Sequence, residues 1–255
     1  MKTRANGFSL VELMVAVTIS MVAMIAVVAV YSSTRQTNRV QGMQTRLTED
    51  GRFALSMLQR IVSQAGYRQN PTTALGTAFV SGRVSVSNAG VLTVRFDPDG
   101  TNQISCNGAA PAAGAAQTLV IQKNGSKLEC ATNAAAADEW IAPATSGTGN
   151  GSEVVDFALQ FGLDNAVTSA NFGCASGFDC IADQYVSSAT ASLIAAPALT
   201  IVAVKVCLVL KSEAMDMSLA KPAEVKDCGG GDIANSQTDH RLYRTFLTTV
   251  SLKNR

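Results

Sequence analysis

Gly7-Phe8-Ser9-Leu10-Val11-Glu12-Leu13 leads into an uncharged run, Met14 to Thr34, and the reading of that stretch decides the fold. No charge falls between Glu12 and Arg35, and no proline or glycine between Phe8 and Gln41. This predicts a helix longer than the roughly 20 residues needed to cross a ~30 Å hydrocarbon layer. Thr18 and Ser20 do not exclude a span, because a hydroxyl can bond back to a helix carbonyl. Glu12, at the edge of the run, is the anomaly. A carboxylate near the bilayer centre costs about 2.5–3.5 kcal/mol, so such a residue is a functional candidate whose natural partner is a cation at the same depth. Lys2 and Arg4 favour a cytoplasmic N-terminus, but Arg35, Arg39 and Arg46 follow close behind the span, so loop charge alone does not set the orientation.

The residues ahead of the run, Met1-Lys2-Thr3-Arg4-Ala5-Asn6-Gly7, are short, basic and end in glycine. A secretory signal peptide has its small-residue cleavage site after the apolar stretch, whereas here the glycine stands before it. Gly7-Phe8-Ser9-Leu10-Val11-Glu12 resembles the cleavage and methylation motif of type IV prepilins. The resemblance implies that a prepilin peptidase cuts between Gly7 and Phe8 and that the new N-terminal Phe8 is N-methylated. It also implies that Glu12 is retained for assembly register, within reach of the Phe8 amine of a neighbouring subunit. Orientation in the membrane rests mainly on this resemblance.

Composition bounds the rest. At 255 residues and 47% hydrophobic, the chain can bury one sizeable core beside the membrane segment. Removing Lys2 and Arg4 lowers the formal charge by two, from +1 to −1, which leaves no bulk electrostatic footprint for nucleic acid. Six cysteines without a Cys-x-x-Cys pair, and a single histidine, argue against zinc. In an exported domain an even cysteine count reads as disulfides on the oxidising side of the membrane.

Beyond Tyr31 the positions Val40, Met43, Leu47, Ala54, Leu58, Ile61 and Ala65 continue one helix face. The stripe skips a step at Asp50 and Gly51, where a local softening is expected. Gly66 is placed as the C′ glycine, and Pro71 prevents resumption. A helix from Phe8 to Ala65 would be on the order of 85 Å long. Val91–Phe96 alternates as a strand, and Leu119–Lys123, Asn124-Gly125 and Ser126–Cys130 read as a hairpin with a type I′ turn. Val155, Phe157, Leu159, Phe161 and Leu163 form a period-two run. Leu199–Leu210 reads as a covered strand, and Leu242, Phe246, Val250 and Leu252 line the inner face of a last one. Loops are expected at 107–117, 142–152 and 167–198.

Leu47-Thr48-Glu49-Asp50-Gly51-Arg52-Phe53-Ala54-Leu55, with Ala65-Gly66-Tyr67, resembles the post-membrane helix of the PilW family of type IV pilus assembly proteins. Val204 to Ser212 is similar to a late strand of that family, and Arg241 to Arg255 to its C-terminal strand. The middle, from Thr73 to Gly151, matches only loosely. The resemblance implies an α+β fold in which a long N-terminal α-helix, half transmembrane and half amphipathic, packs on an antiparallel β-sheet domain. The expected organisation is a leader over 1–7, a transmembrane helix half over 8–34, an amphipathic half over 35–66 and a disulfide-containing β-rich domain over 67–255. The implied function is that of a minor pilin contributing to initiation and assembly of the type IV pilus. It would sit in the inner membrane as a single-pass protein with its globular domain in the periplasm, and then enter the pilus. The expected partners are the prepilin peptidase, other minor and major pilins, inner-membrane lipid and a pilus-tip adhesin. A minor pseudopilin of a type II secretion system is the alternative, and a tip adhesin or DNA-binding pilin a third. No basic patch with interleaved aromatics supports the last.

No catalytic centre, metal or cofactor is expected. Gly147-Thr148-Gly149-Asn150-Gly151 lacks the Lys-Ser/Thr of a phosphate loop, and Asp97-Pro98-Asp99-Gly100-Thr101-Asn102 lacks the later glutamate of an EF-hand. His240 has no second histidine and reads as a surface residue ahead of the last strand. The cysteines are expected to pair as sequence neighbours: Cys106 with Cys130, Cys174 with Cys180, and Cys207 with Cys228. Fifteen connectivities remain open to sequence alone.

Overall fold

The structure is a computed structural model and describes residues 9–70, 72, 78–79, 82–87, 90–144, 151–165, 179–187, 201–219, 221 and 223–254. Helix α1 runs unbroken from Leu10 to Ser63. Nine strands follow among the described residues: β1 (Val84–Val86), β2 (Leu92–Phe96), β3 (Gln117–Asn124), β4 (Lys127–Thr132), β5 (Asp138–Ile141), β6 (Ser152–Leu163), β7 (Gln184–Ser187), β8 (Ile201–Ser212) and β9 (Tyr243–Ser251). The fold is the expected combination of one long apolar helix with antiparallel β-structure. The chain divides into two compact units, the first ending at Gln44 and the second beginning at Thr45.

In the first unit α1 exposes every large apolar side chain from Leu10 to Tyr31. It is long and apolar enough to cross a membrane. Thr18 donates to the Val15 carbonyl at 2.9 Å and Ser20 to that of Ala16 at 2.8 Å, so both hydroxyls are satisfied within the helix.

In the second unit the strands form two sheets, in the orders β1-β2-β3-β4-β5 and β7-β6-β8-β9, with every pairing antiparallel. They share one hydrophobic core with Leu47, Ala54, Leu58, Ile61 and Ala65. The stripe from Leu47 onward therefore joins the core, with Met57 and Val62 added, whereas Val40 and Met43 are only half-buried and stay outside it. No softening occurs at the skipped step. Gly51 is buried inside the continuous helix, and a Cβ there would lie 2.2 Å from the Phe246 ring. Glycine lets the strand approach the helix backbone. The helix and β9 run side by side in the same direction, with Thr48 accepting from Arg244 at 2.7 Å and Thr248 from Gln59 at 2.8 Å.

Gly66 takes a left-handed φ of 77°, as a C′ residue does. Its N–H donates to the Arg95 carbonyl of β2 at 2.8 Å instead of closing back on the helix. The helix end is capped from the far end of the chain: the Asn254 amide donates to the carbonyls of Ser63 and Ala65, each at 3.2 Å. Buried Arg83 binds the Asn254 carbonyl in turn, and the Ile201 carbonyl at 2.9 Å.

Three strand expectations shift. Asn124 pairs with Lys127, so the hairpin turn is Gly125-Ser126. Gly125 alone of those two has positive φ, the type II′ arrangement and not I′. In β6 the register slips between Val154 and Asp156, so Val155 is the bulge residue and Val154 points inward in its place. Within 167–198, Gln184–Ser187 forms strand β7. β8 is buried on both faces except at Lys205 and, in part, Cys207 and Lys211. Pro71 and Leu199 lie outside the described residues.

Candidate functional site

Of the residues expected to serve assembly, Glu12 lies in the first turn of α1. Gly7 and Phe8, expected to flank the cleavage, lie outside the described residues, as do Lys2 and Arg4. Ser9 is the helix N-cap: its hydroxyl accepts from the Val11 N–H at 3.3 Å and its carbonyl from the Leu13 N–H at 3.1 Å. Glu12 follows three residues later in the first turn, the spacing of a capping box, with its negative charge at the positive end of the helix dipole. Ser9 is legible as a cap from the Ser-x-x-Glu spacing, a signal that overlaps the cleavage motif and is hidden by it. Glu12 is exposed. One turn on, Ala16 and Ser20 leave a shallow dent bordered by Val17, Met21 and Met24.

The remaining candidates resolve into structural roles. Asp99, in the segment Asp97 to Asn102, accepts hydrogen bonds from the N–H groups of Thr101 at 2.8 Å and Asn102 at 2.9 Å, from both of their side chains, and from the Tyr67 hydroxyl at 3.1 Å. The Asn102 side chain, then its N–H and that of Thr101, hold this carboxyl well below the usual range. Of the glycine-rich segment, residues 147–150 lie outside the described residues. At its flanks the Ala144 and Gly151 N–H groups both donate to one oxygen of Glu213, at 2.8 and 3.1 Å. His240 is half-buried ahead of β9; it takes a φ of 53°, and its Nδ1 lies 2.8 Å from the Leu219 carbonyl.

A charged network pins the β8–β9 connection to its sheet. Glu153 joins Lys211 at 2.9 Å and Arg241 at 2.8 Å. Asp239 joins Lys221 at 2.8 Å and accepts from the Tyr243 hydroxyl at 2.6 Å. Burial pushes both carboxyls upward, but the neighbouring cations and donors outweigh it, and each is held below its ordinary value. Burial, and then the bond to Asp239, push the Tyr243 hydroxyl upward. Among the described residues, no group of three His, Cys, Asp or Glu side chains gathers as metal ligands would.

Cys106 and Cys130 are disulfide-bonded with Cα atoms 5.4 Å apart, and Cys207 and Cys228 with Cα atoms 5.8 Å apart. The first bridge ties β4 to the loop before β3, where Trp140 donates to the Cys106 carbonyl at 2.9 Å. The second holds the β8–β9 connection against β8. Cys180 is in disulfide linkage; Cys174, its expected partner, lies outside the described residues.

A family described as Type IV Pilus-assembly protein W matches residues 108–254, more than half of the chain. A prokaryotic N-terminal methylation motif matches residues 2–28. Among solved structures, a type IV-like pilin from Thermus thermophilus aligns at 14% identity and a TM-score of 0.45, over 82% of this chain and 96% of its own. No curated protein sequence matches.

Proposed function

The chain belongs to the PilW family of type IV pilus-assembly proteins, and from that premise we propose that it is a minor pilin that helps initiate the pilus by packing α1 among the helices of other pilins. The observation that carries this reading is an apolar helix face, exposed from Leu10 to Tyr31, that bears a single carboxylate at its start. Such a surface needs lipid or other apolar helices around it, and its carboxylate needs a cation. Prepilin-peptidase cleavage between Gly7 and Phe8 supplies one: the methylated amine of Phe8 on a neighbouring subunit, four residues from Glu12 along the chain. Pairing at low dielectric offsets desolvation and sets the axial register. The β-rich domain then lies on the periplasmic side before assembly and on the fibre surface after it.

The experiment separates this role from the local one. Glutamine at position 12 keeps a capping-box partner for Ser9 but removes the charge, whereas alanine removes both. Glu12→Gln and Glu12→Ala are expected to insert in the membrane at normal abundance and to lower sheared-pilus yield alike, with Glu12→Asp intermediate. Mass spectrometry of the mature protein should show methylated Phe8 as its first residue. Normal piliation by Glu12→Gln would leave the carboxylate with capping alone. Loss of protein secretion with pili intact, on deleting the gene, would move the chain to a type II secretion system.

A further inference from the structure

Residues 13–48 contain no Asp or Glu, yet they hold Arg35, Arg39 and Arg46 on one helix face. Arg46 is neutralised within the helix by Asp50 at 3.1 Å. Among the described residues neither Arg35 nor Arg39 has a carboxylate partner. Both are exposed. The Arg35 guanidinium lies over the Tyr31 ring, 5.2 Å from its centroid, and Tyr31 is itself 59% exposed beside bare Val28 and Val30. From Glu12 to Arg35 the helix rises about 35 Å, slightly more than the ~30 Å hydrocarbon layer, which sets Tyr31 and Arg35 at the far headgroup level when Glu12 is at the near edge.

We propose that Tyr31, Arg35 and Arg39 form a binding site for an anionic phospholipid headgroup where α1 leaves the bilayer. The proposal rests on reading α1 as a membrane anchor. A tyrosine ring is favoured at headgroup depth. It also holds the Arg35 guanidinium beside it, and Arg39 one turn further on the same face is within reach of the same phosphate. A guanidinium fork matches phosphate oxygens in two-point contact, better than a point charge does. The site offsets the cost of basic residues placed beyond the span and fixes the depth of the helix.

The test uses the full-length protein reconstituted in nanodiscs of phosphatidylcholine, of phosphatidylglycerol and of a mixture of the two, with retained lipids counted by native mass spectrometry after gentle release. The wild type is expected to retain phosphatidylglycerol over phosphatidylcholine. Arg35→Gln and Arg39→Gln should each lower that preference roughly five-fold, with Arg35→Lys and Tyr31→Leu losing less. Arg46→Gln, whose partner is Asp50, should leave it unchanged, and circular dichroism checks that each variant is folded. Equal retention of the two lipids by the wild type, or undiminished phosphatidylglycerol retention by the Arg35→Gln/Arg39→Gln variant, overturns the proposal. If that variant keeps its lipid and loses piliation, the arginines meet carboxylates of a neighbouring pilin, and the assembly reading stands without the lipid site.

Discussion

Gly51 shows how a residue that weakens a helix in isolation strengthens a packed one. Glycine in an exposed helix interior costs about 1 kcal/mol relative to alanine, so Gly51→Ala should help if propensity alone counted. The Phe246 ring leaves no room: its three nearest carbons lie within 2.5 Å of the point a Cβ would occupy. Overpacking of this kind costs about 1–3 kcal/mol, which exceeds the propensity gain. Chemical denaturation of the full chain in detergent should therefore show Gly51→Ala destabilised. Adding Phe246→Leu should recover part of the loss, because the shorter side chain vacates that space. A stabilised Gly51→Ala would mean that β9 can move away from the helix.

At the scale of elements, distant parts of the chain close one another. Asn254 supplies two donors, to the last carbonyl of α1 at Ser63 and to that of Ala65 just beyond it, and one acceptor to buried Arg83. Asn254→Ala removes only the side-chain cap and should cost about 1 kcal/mol. Deleting residues 254–255 also takes the acceptor from Arg83 and should cost about 1–3 kcal/mol more, read as a further drop in denaturation midpoint. The two bridges with described partners span 24 and 21 residues, for which chain entropy gives about 3 kcal/mol each. Replacing Cys207 and Cys228 by alanine should lower stability by that amount and loosen the connection that carries Lys221 and Asp239. Peptide mapping without reduction is expected to return three intramolecular bridges, including Cys174 with Cys180. Free thiols in protein recovered from the periplasm would contradict that.

For the molecule as a whole, the charged network predicts a pH window. Glu153, Asp239 and Asp99 have folded-state values below their unfolded ones. Their contribution is fully present above about pH 5 and is lost as pH falls from there through the folded values. Tyr243 is shifted upward, so its contribution is present below about pH 10 and is lost as pH rises beyond. Stability should thus hold level between these limits and fall on both sides. Glu153→Gln should flatten the acid limb, because it removes the carboxylate that Lys211 and Arg241 hold charged. Thermal melts across pH, wild type against variant, provide the measurement.

How much of this was readable from residues alone follows from the range of the interactions involved. The span, the Glu12 anomaly, the amphipathic stripe and the alternation of β2 depend on period and local composition, which a linear chain displays directly. The family match rests on a different part of the chain, residues 108–254. Gly51 was readable as a gap in the stripe but not as a contact, since its meaning lies in Phe246, far along the chain. The same holds for Asn254 at the end of α1 and for the Glu213 oxygen between Ala144 and Gly151. The type II′ turn at Gly125-Ser126 and the bulge at Val155 were settled by strand register, which cross-strand packing selects among local alternatives of similar energy. Such choices belong to neighbours brought together by folding, and no window of sequence contains both partners.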